Sequence, residues 1–426
     1  MFKTLKNAFS LPDLRRKMLY VIFIVVLYRI GCVIPVPYVS SDALSYIMSF
    51  GDGSLFQYMS ILAGPAFSRA TLFALSISPY INASIIMQLL CTAIPALEAM
   101  AKEEDGRKKV TQITRFVTVG IGLITAYGYY TYMRSMGVLM NRGVFAAIVI
   151  IACYVAGSAL IMWLGEKINE NGIGNGISII LFVNIVSGLP TAASGIIASF
   201  SNGIGAIIAN LLTVIMAVAM VVFIIFITNS ERRIPIQYSK RVVGRKMYGG
   251  QSSTLPMKLN MAGVMPVIFA NSILALPSTI AMIAQPKEGG FFARFLGLFS
   301  YNSWLYAVLF MVLIVFFSYF YIAISFNPVE VANNLKKNGG FIPGIRPGKP
   351  TADYITKVLN KVTLMGAFFL GIVAVIPLVA NLLSGNQMTG IAFAGTSIII
   401  VVGVATETAH EIEAQMTMRH YKGFLE

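Results

Sequence analysis

The strongest constraint on this chain is a succession of apolar stretches, each close to the length needed to cross a lipid bilayer. A hydrocarbon core about 30 Å thick takes about 20 apolar residues per helix. Such stretches lie at 18–34, 72–93, 114–133, 144–164, 176–189, 206–228, 261–284, 304–326, 358–380 and 390–410. The fifth is short, but its Gly-rich flanks can extend it. Lipid offers a backbone no hydrogen bonds, so each stretch is expected to be helical. Composition agrees, with 57% of residues apolar and only 12% charged, against about 25% charged in soluble proteins. That shortfall excludes an ordinary soluble enzyme. The fold class is an all-α polytopic membrane protein with ten transmembrane helices.

The N-terminus does not read as a cleaved signal. Met1 to Lys17 is basic, and the apolar run that follows is too long for a signal-peptide core. That run also holds Arg29 and lacks a small-x-small cleavage pattern. It is expected to be a retained first span.

Charge placement orients the spans. With the N-terminus inside, the inside segments carry 26 of the 32 Lys and Arg. The outside segments hold Arg69, Arg134, Arg142, Lys287 and Arg294, and Arg29 lies within the first span. This asymmetry predicts cytosolic termini. The net charge of +15 is then largely topology and attraction to anionic lipids. Two inside loops, 229–260 and 327–357, are longer and more basic than topology requires. They carry Lys240, Arg241, Arg245, Lys246 and Arg346.

Ahead of the second span, residues 55–67 are apolar but too short to cross, and Gly64-Pro65 interrupts them. A re-entrant or interfacial half-helix fits such a piece. An external loop with an amphipathic turn is the alternative. Five spans from each end divide the chain into 1–190 and 191–426, with a charge-free outside stretch between the two sets. The halves start on opposite faces, so any structural repeat is inverted, with a passage expected near the midplane at their interface. Two unrelated sets of helices are equally compatible with the sequence.

Little catalytic chemistry is legible. The spans lack the midplane carboxylates and histidines of ion-coupled transporters, with Arg29 and Glu407 the main ionisable exceptions. Gly172-Ile173-Gly174-Asn175-Gly176 looks like a phosphate loop, but no strand precedes it and no Lys-Ser/Thr follows. A flexible helix start accounts for it better. Cys32, Cys91 and Cys153 sit in apolar runs without metal or disulfide spacing, and His410 and His420 cannot form a metal cage alone. No enzyme activity, cofactor or metal is expected, so any energy source belongs to a partner.

Two spans are unusually polar. The second carries Ser76, Ser78, Asn82, Ser84 and Gln88, and the seventh carries Pro266, Asn271, Ser272 and Pro277. Amides and hydroxyls facing lipid are costly, so these groups should meet another helix or water. Ordinary interhelical hydrogen bonding explains them, and so does a helix pair whose contact opens.

Several separated motifs, in order, resemble the SecY family, the central subunit of the protein-conducting channel. They are Pro12-Asp13-Leu14-Arg15-Arg16-Lys17, Ser78-Pro79-Tyr80-Ile81-Asn82-Ala83-Ser84, Trp163-Leu164-Gly165-Glu166 with the Gly172–Gly176 turn, and Asn260-Met261-Ala262-Gly263-Val264-Met265-Pro266. Phe326-Asn327-Pro328, Asn334-Leu335-Lys336-Lys337 and Gly344-Ile345-Arg346-Pro347-Gly348 continue the match. The resemblance implies a clamshell of two five-helix halves around an hourglass pore, braced by SecE-like and SecG-like subunits.

By the same resemblance, Ile77, Ile81, Ile177, Leu181, Ile268 and Ile400 correspond to the pore ring, Leu181 departing from the usual isoleucine. Leu55, Phe56, Leu62, Gly64, Pro65, Phe67 and Arg69 fall in the plug. Asn82 and Leu276 look like facing positions of a lateral gate, with Gln88 and Asn271 on the same two helices. Lys240, Arg241, Arg245, Lys246 and Arg346 fall on loops similar to those that dock SecA or the ribosome. The implied function is a passive channel in the bacterial plasma membrane. It takes signal peptides and unfolded secretory chains, and releases apolar segments sideways into lipid. An ion-coupled small-solute transporter is the rival reading, and a non-transporting scaffold a weaker one.

Overall fold

The computed structural model describes residues 8–50, 65–199, 204–238, 241–243, 246–248, 252–284, 290–299, 303–383 and 394–422. Every expected span is occupied by a helix: α1 (Pro12–Gly31), α4 (Ser78–Ala93), α6 (Glu104–Ser135), α7 (Val144–Asn171) and α8 (Gly176–Ser199), then α9 (Ile204–Asn229), α10 (Met265–Ala284), α12 (Trp304–Ser325), α14 (Lys349–Leu383) and α15 (Ala394–Lys422). Shorter helices connect them: α2 (Ser41–Phe50), α3 (Pro65–Ser68), α5 (Pro95–Lys102), α11 (Phe291–Leu298) and α13 (Pro328–Lys337). The chain bends sharply between α4 and α5, whose axes differ by 106°. Ile94 is extended there and Pro95 opens α5, because a residue before proline avoids the helical region and proline has no N–H to continue the ladder.

The packing order closes on itself. In the first five spans, α4 packs on α6, α6 on α7, and α7 on both α1 and α8. In the last five, α10 packs on α12, α12 on α14, α14 on α15, and α15 on α9. Among the described residues, the strongest contacts between the two sets fall in two places. On one side α8 touches α15 and α9; on the other α10 touches α4 and α6.

The second span begins later than its hydropathy predicts. Residues 71–77 are apolar but form turns, with Ala70 at φ 47° and Ser76 at φ 51°. They are pinned to the end of the first span: Val36 N–H donates to Ala70 O at 3.1 Å, and Leu72 N–H donates to Ile34 O at 2.9 Å. A second bridge pairs Val39 with Leu139. Gly157 of α7 is needed for the close approach of this stretch, since a Cβ there would overlap the Leu72 carbonyl.

The loop expected at 229–260 is a β-ribbon, which departs from a purely helical reading. Strand β1 (Glu231–Tyr238) pairs antiparallel with β4 (Ser252–Lys258), placing Ile234 opposite Leu255. Between them, β2 (Arg241–Val243) pairs with β3 (Lys246–Tyr248). The far edge of β1 receives β5 (Gly340–Phe341) from the 327–357 loop. Ile234 and Ile236 are the buried positions of β1, and Ile234 packs with Met257, Ile342, Ile355 and Leu359, so the sheet rests on α14.

Candidate functional site: an apolar constriction between two helix sets

The largest buried cluster contains Ile77, Ile81, Leu181, Ile268 and Ile400, with half-buried Ile177 packed against it. Five of the six positions expected in the ring thus belong to one cluster that spans both helix sets, and the sixth borders it. Ile77 caps α4, its carbonyl accepting from Ile81 N–H at 3.1 Å, whereas Ile177 and Leu181 are four apart on α8 and share one helix face. Ile268 comes from α10 and Ile400 from α15. Four segments, two from each set, thus contribute branched hydrocarbon to the same cluster. Such side chains offer water no hydrogen bonds, so a narrow gap between them dewets and resists ions.

The start of α8 explains the glycine motif. Asn169 Oδ1 accepts from Gly176 N–H at 2.7 Å, and Asn175 Oδ1 accepts from Ile177 N–H at 3.1 Å. These amides are capped by the chain itself, so they form no open phosphate cradle. A Cβ at Gly176 would overlap the Gly165 carbonyl, which lets α8 begin tight against α7 beside the ring.

The expected gate residues lie on α4 and α10, two helices that touch. Asn82 and Gln88 are half-buried on α4, and Gln88 donates to Ser84 Oγ at 3.3 Å. On α10, Asn271 is buried while Leu276 is 42% exposed. The ring and the seam share α4 and α10. Of the plug positions, Leu55, Phe56, Leu62 and Gly64 lie outside the described residues. Pro65 opens α3 and Arg69 is exposed. Phe67 is buried, stacked on Tyr129 at 4.6 Å, and its carbonyl accepts from the Tyr129 hydroxyl at 2.6 Å.

The family model described as SecY matches residues 71–409, most of the chain and every element of the ring. The chain belongs to the SecY family. It is 41% identical to the protein translocase subunit SecY of Streptomyces galbus over 454 residues, covering all of both chains. It is 38% identical to the subunit of the same name from Mycobacterium bovis over 435 residues, covering 97% of each. Among solved structures, "The structure of a protein conducting channel" superposes with TM-score 0.66 at 18% identity, covering 93% of this chain and 92% of that one. Sec61 in the canine ribosome-channel complex gives TM-score 0.63 at 17% identity with the same coverage. These two likenesses show a shared fold. The protein is accordingly a multi-pass membrane protein of this family.

The basic positions are distributed over the ribbon and its neighbouring loop. Arg241 lies in β2 opposite Tyr248, and Lys246 in β3 opposite Val243. Lys240 and Arg245 lie outside the described residues. Arg346 is exposed in a turn between Gly344 at φ 81° and Gly348 at φ 106°, a backbone region that favours glycine.

Sequence reasoning missed two residues beside the ring. Tyr28 of α1 and Asn184 of α8 are buried and joined by a hydrogen bond, and Asn184 also reaches Ser76. The available signal was the amide at Asn184 amid an apolar run, since an unpaired amide in a span is costly. Its partners, 156 and 108 residues away, gave no local pattern.

Proposed function

We propose that this chain is the pore-forming subunit of a protein translocase. It is a channel for unfolded secretory polypeptides that also releases apolar segments into lipid. What supports the reading is a buried apolar cluster drawn from both helix sets, which these six branched aliphatic positions belong to or border, together with the packing of α10 on α4 and α6. The halves 1–190 and 191–426 move apart at the α10 seam and remain joined where α8 meets α9 and α15. Around an extended chain, the ring side chains swing aside without demanding a sequence. A polar segment passes on; an apolar one partitions sideways past Asn82, Gln88, Asn271 and Leu276. A plug role for the segment 55–69 belongs to the same proposal.

The curated relatives named protein translocase subunit and the ribosome-channel complexes among the structural neighbours support a translocon that docks ribosomes. The finer assignments are a bacterial plasma membrane with cytosolic termini, SecE-like and SecG-like companions, and docking of SecA or ribosomal RNA on Lys240, Arg241, Arg245, Lys246 and Arg346. The charge asymmetry and the placement of the ribbon support them. The deciding experiment reconstitutes the chain with its companions in liposomes and supplies SecA, ATP and a preprotein. ATP-dependent protease protection of the preprotein is expected. Saturable uptake of a small solute with no preprotein entry would replace the channel reading with a transporter.

A further inference from the structure

Three buried polar side chains from three different elements are linked beside the constriction. The Tyr28 hydroxyl donates to Asn184 Oδ1 at 2.5 Å, and Asn184 Nδ2 donates to Ser76 Oγ at 2.8 Å. Each of the three is at most 1% exposed. Arg29, next to Tyr28, donates to the carbonyl of Val183, next to Asn184. Two consecutive residues of α1 thus hold two consecutive residues of α8. The Tyr28 ring also stacks on Phe73 at 5.5 Å, and the Phe73 carbonyl accepts from Ser76 N–H at 2.9 Å.

The linked atoms adjoin ring residues on both sides. Ser76 immediately precedes Ile77, and Asn184 follows Leu181 by three residues, close to one helical turn. Ser76 has φ 51°, a conformation that side chains other than glycine rarely adopt. Such a backbone persists only where its surroundings over-determine it. Here the Asn184 amide supplies that constraint from across the helix boundary.

The geometry points to Asn184 as a positioning residue for the channel seal: bonded to Tyr28 and Ser76, it fixes the rotation and depth at which Ile77 and Leu181 enter the constriction. The inference rests on the ring reading given under Proposed function. Inside an apolar cluster, no water is at hand to replace a lost partner. Removing one member therefore frees the strained entrance of α4 from α8, and the gap between Ile77 and Leu181 widens enough to wet.

The test measures resting ion conductance of the reconstituted full-length channel in planar bilayers. Tyr28→Phe keeps the ring and its packing while deleting one hydroxyl, so the protein should insert and fold. Asn184→Leu removes both bonds at similar volume. Each should raise the leak by about threefold or more, the population shift expected from losing one interhelical hydrogen bond in a membrane. The double variant should leak no more than Asn184→Leu alone, because the Tyr28 bond is already absent. Ile81→Asn is run alongside. If Ile81→Asn leaks while both latch variants stay sealed, or if the two latch effects simply add, Asn184 does not position the ring. If Ile81→Asn itself stays sealed, the ring reading fails and takes this inference with it.

Discussion

Arg115 and Glu166 form a two-pronged ion pair: Nη2 lies 2.8 Å from Oε2, and Nε lies 3.0 Å from Oε1. The pair staples α6 to α7. Its carboxylate is well covered, with the Glu166 side chain 11% exposed, whereas that of Arg115 is 46% exposed. Glu166→Gln keeps the shape but loses the charge-assisted fork, and should destabilise the channel by about 1–2 kcal/mol. Thermal unfolding in detergent would read this. Lys102→Ala breaks the exposed Lys102–Glu98 pair and should change stability by less than about 0.5 kcal/mol. Equal effects from the two substitutions would show that the fork adds nothing over a surface pair.

The ring prediction concerns polarity within the cluster. An amide at Ile81 or Ile268 leaves a buried group unsatisfied unless water enters, a difference of about 1–3 kcal/mol for each. The double substitution Ile81→Asn with Ile268→Asn should therefore favour the wet state and raise resting leak about tenfold or more. Planar-bilayer conductance decides it, and an unchanged leak would place these two residues outside the constriction.

The seam prediction uses Asn82 and Leu276. Cysteines there should cross-link in the resting channel, since a disulfide needs Cα atoms within about 7 Å and α4 already packs on α10. The free thiols Cys32, Cys91 and Cys153 must first be replaced. Insertion of a signal-bearing segment should stop on oxidation and resume on reduction. Full transport through the oxidised channel would reject sideways opening.

Arg346 provides the docking prediction. It is exposed, and its backbone is fixed by the Thr351 hydroxyl donating to the Arg346 carbonyl at 2.9 Å. Arg346→Glu should leave orientation intact, because the other inside cations remain. SecA-driven transport should fall about tenfold or more, as expected for reversing one charge at a matched contact. Arg346→Lys should lose less, since charge survives without the planar fork. Protease mapping checks orientation before transport is compared. Wild-type transport by Arg346→Glu would reduce this residue to part of the solvated basic face.

The helices were legible because lipid charges every residue of a span the same kind of cost. Expectation and structure agree closely at 304–326 and α12, for example, and Ile177 and Leu181 sit at a spacing that a helix brings onto one face. Residues 72–77 show where this stops. Hydropathy registers Leu72, Phe73 and Leu75 as membrane-like, but says nothing of the φ values at Ala70 and Ser76 that make the stretch a turn. The ribbon was hidden for another reason. Ile234 and Ile236 alternate as a strand should, but they sit amid charge, and the third strand arrives about a hundred residues later. The Tyr28–Asn184–Ser76 link was invisible for the same reason of distance along the chain.

The backbone ties impose a parity rule on the way the chain is threaded. Where two segments share hydrogen bonds at one surface, the chain between them has crossed the bilayer an even number of times. Val36 bonded to Ala70 makes that number zero, because two crossings need about 40 residues and the interval is shorter. Val39 paired with Leu139 encloses two, α4 and α6; Gln237 paired with Phe341 encloses two more, α10 and α12. Three crossings separate these last ties, α7, α8 and α9, so they stand on opposite faces. A chain that missed or added one passage during synthesis could not make the next tie. The bridges at Val39 and at Gln237 thus act as checksums, each failing when a single passage is lost or gained.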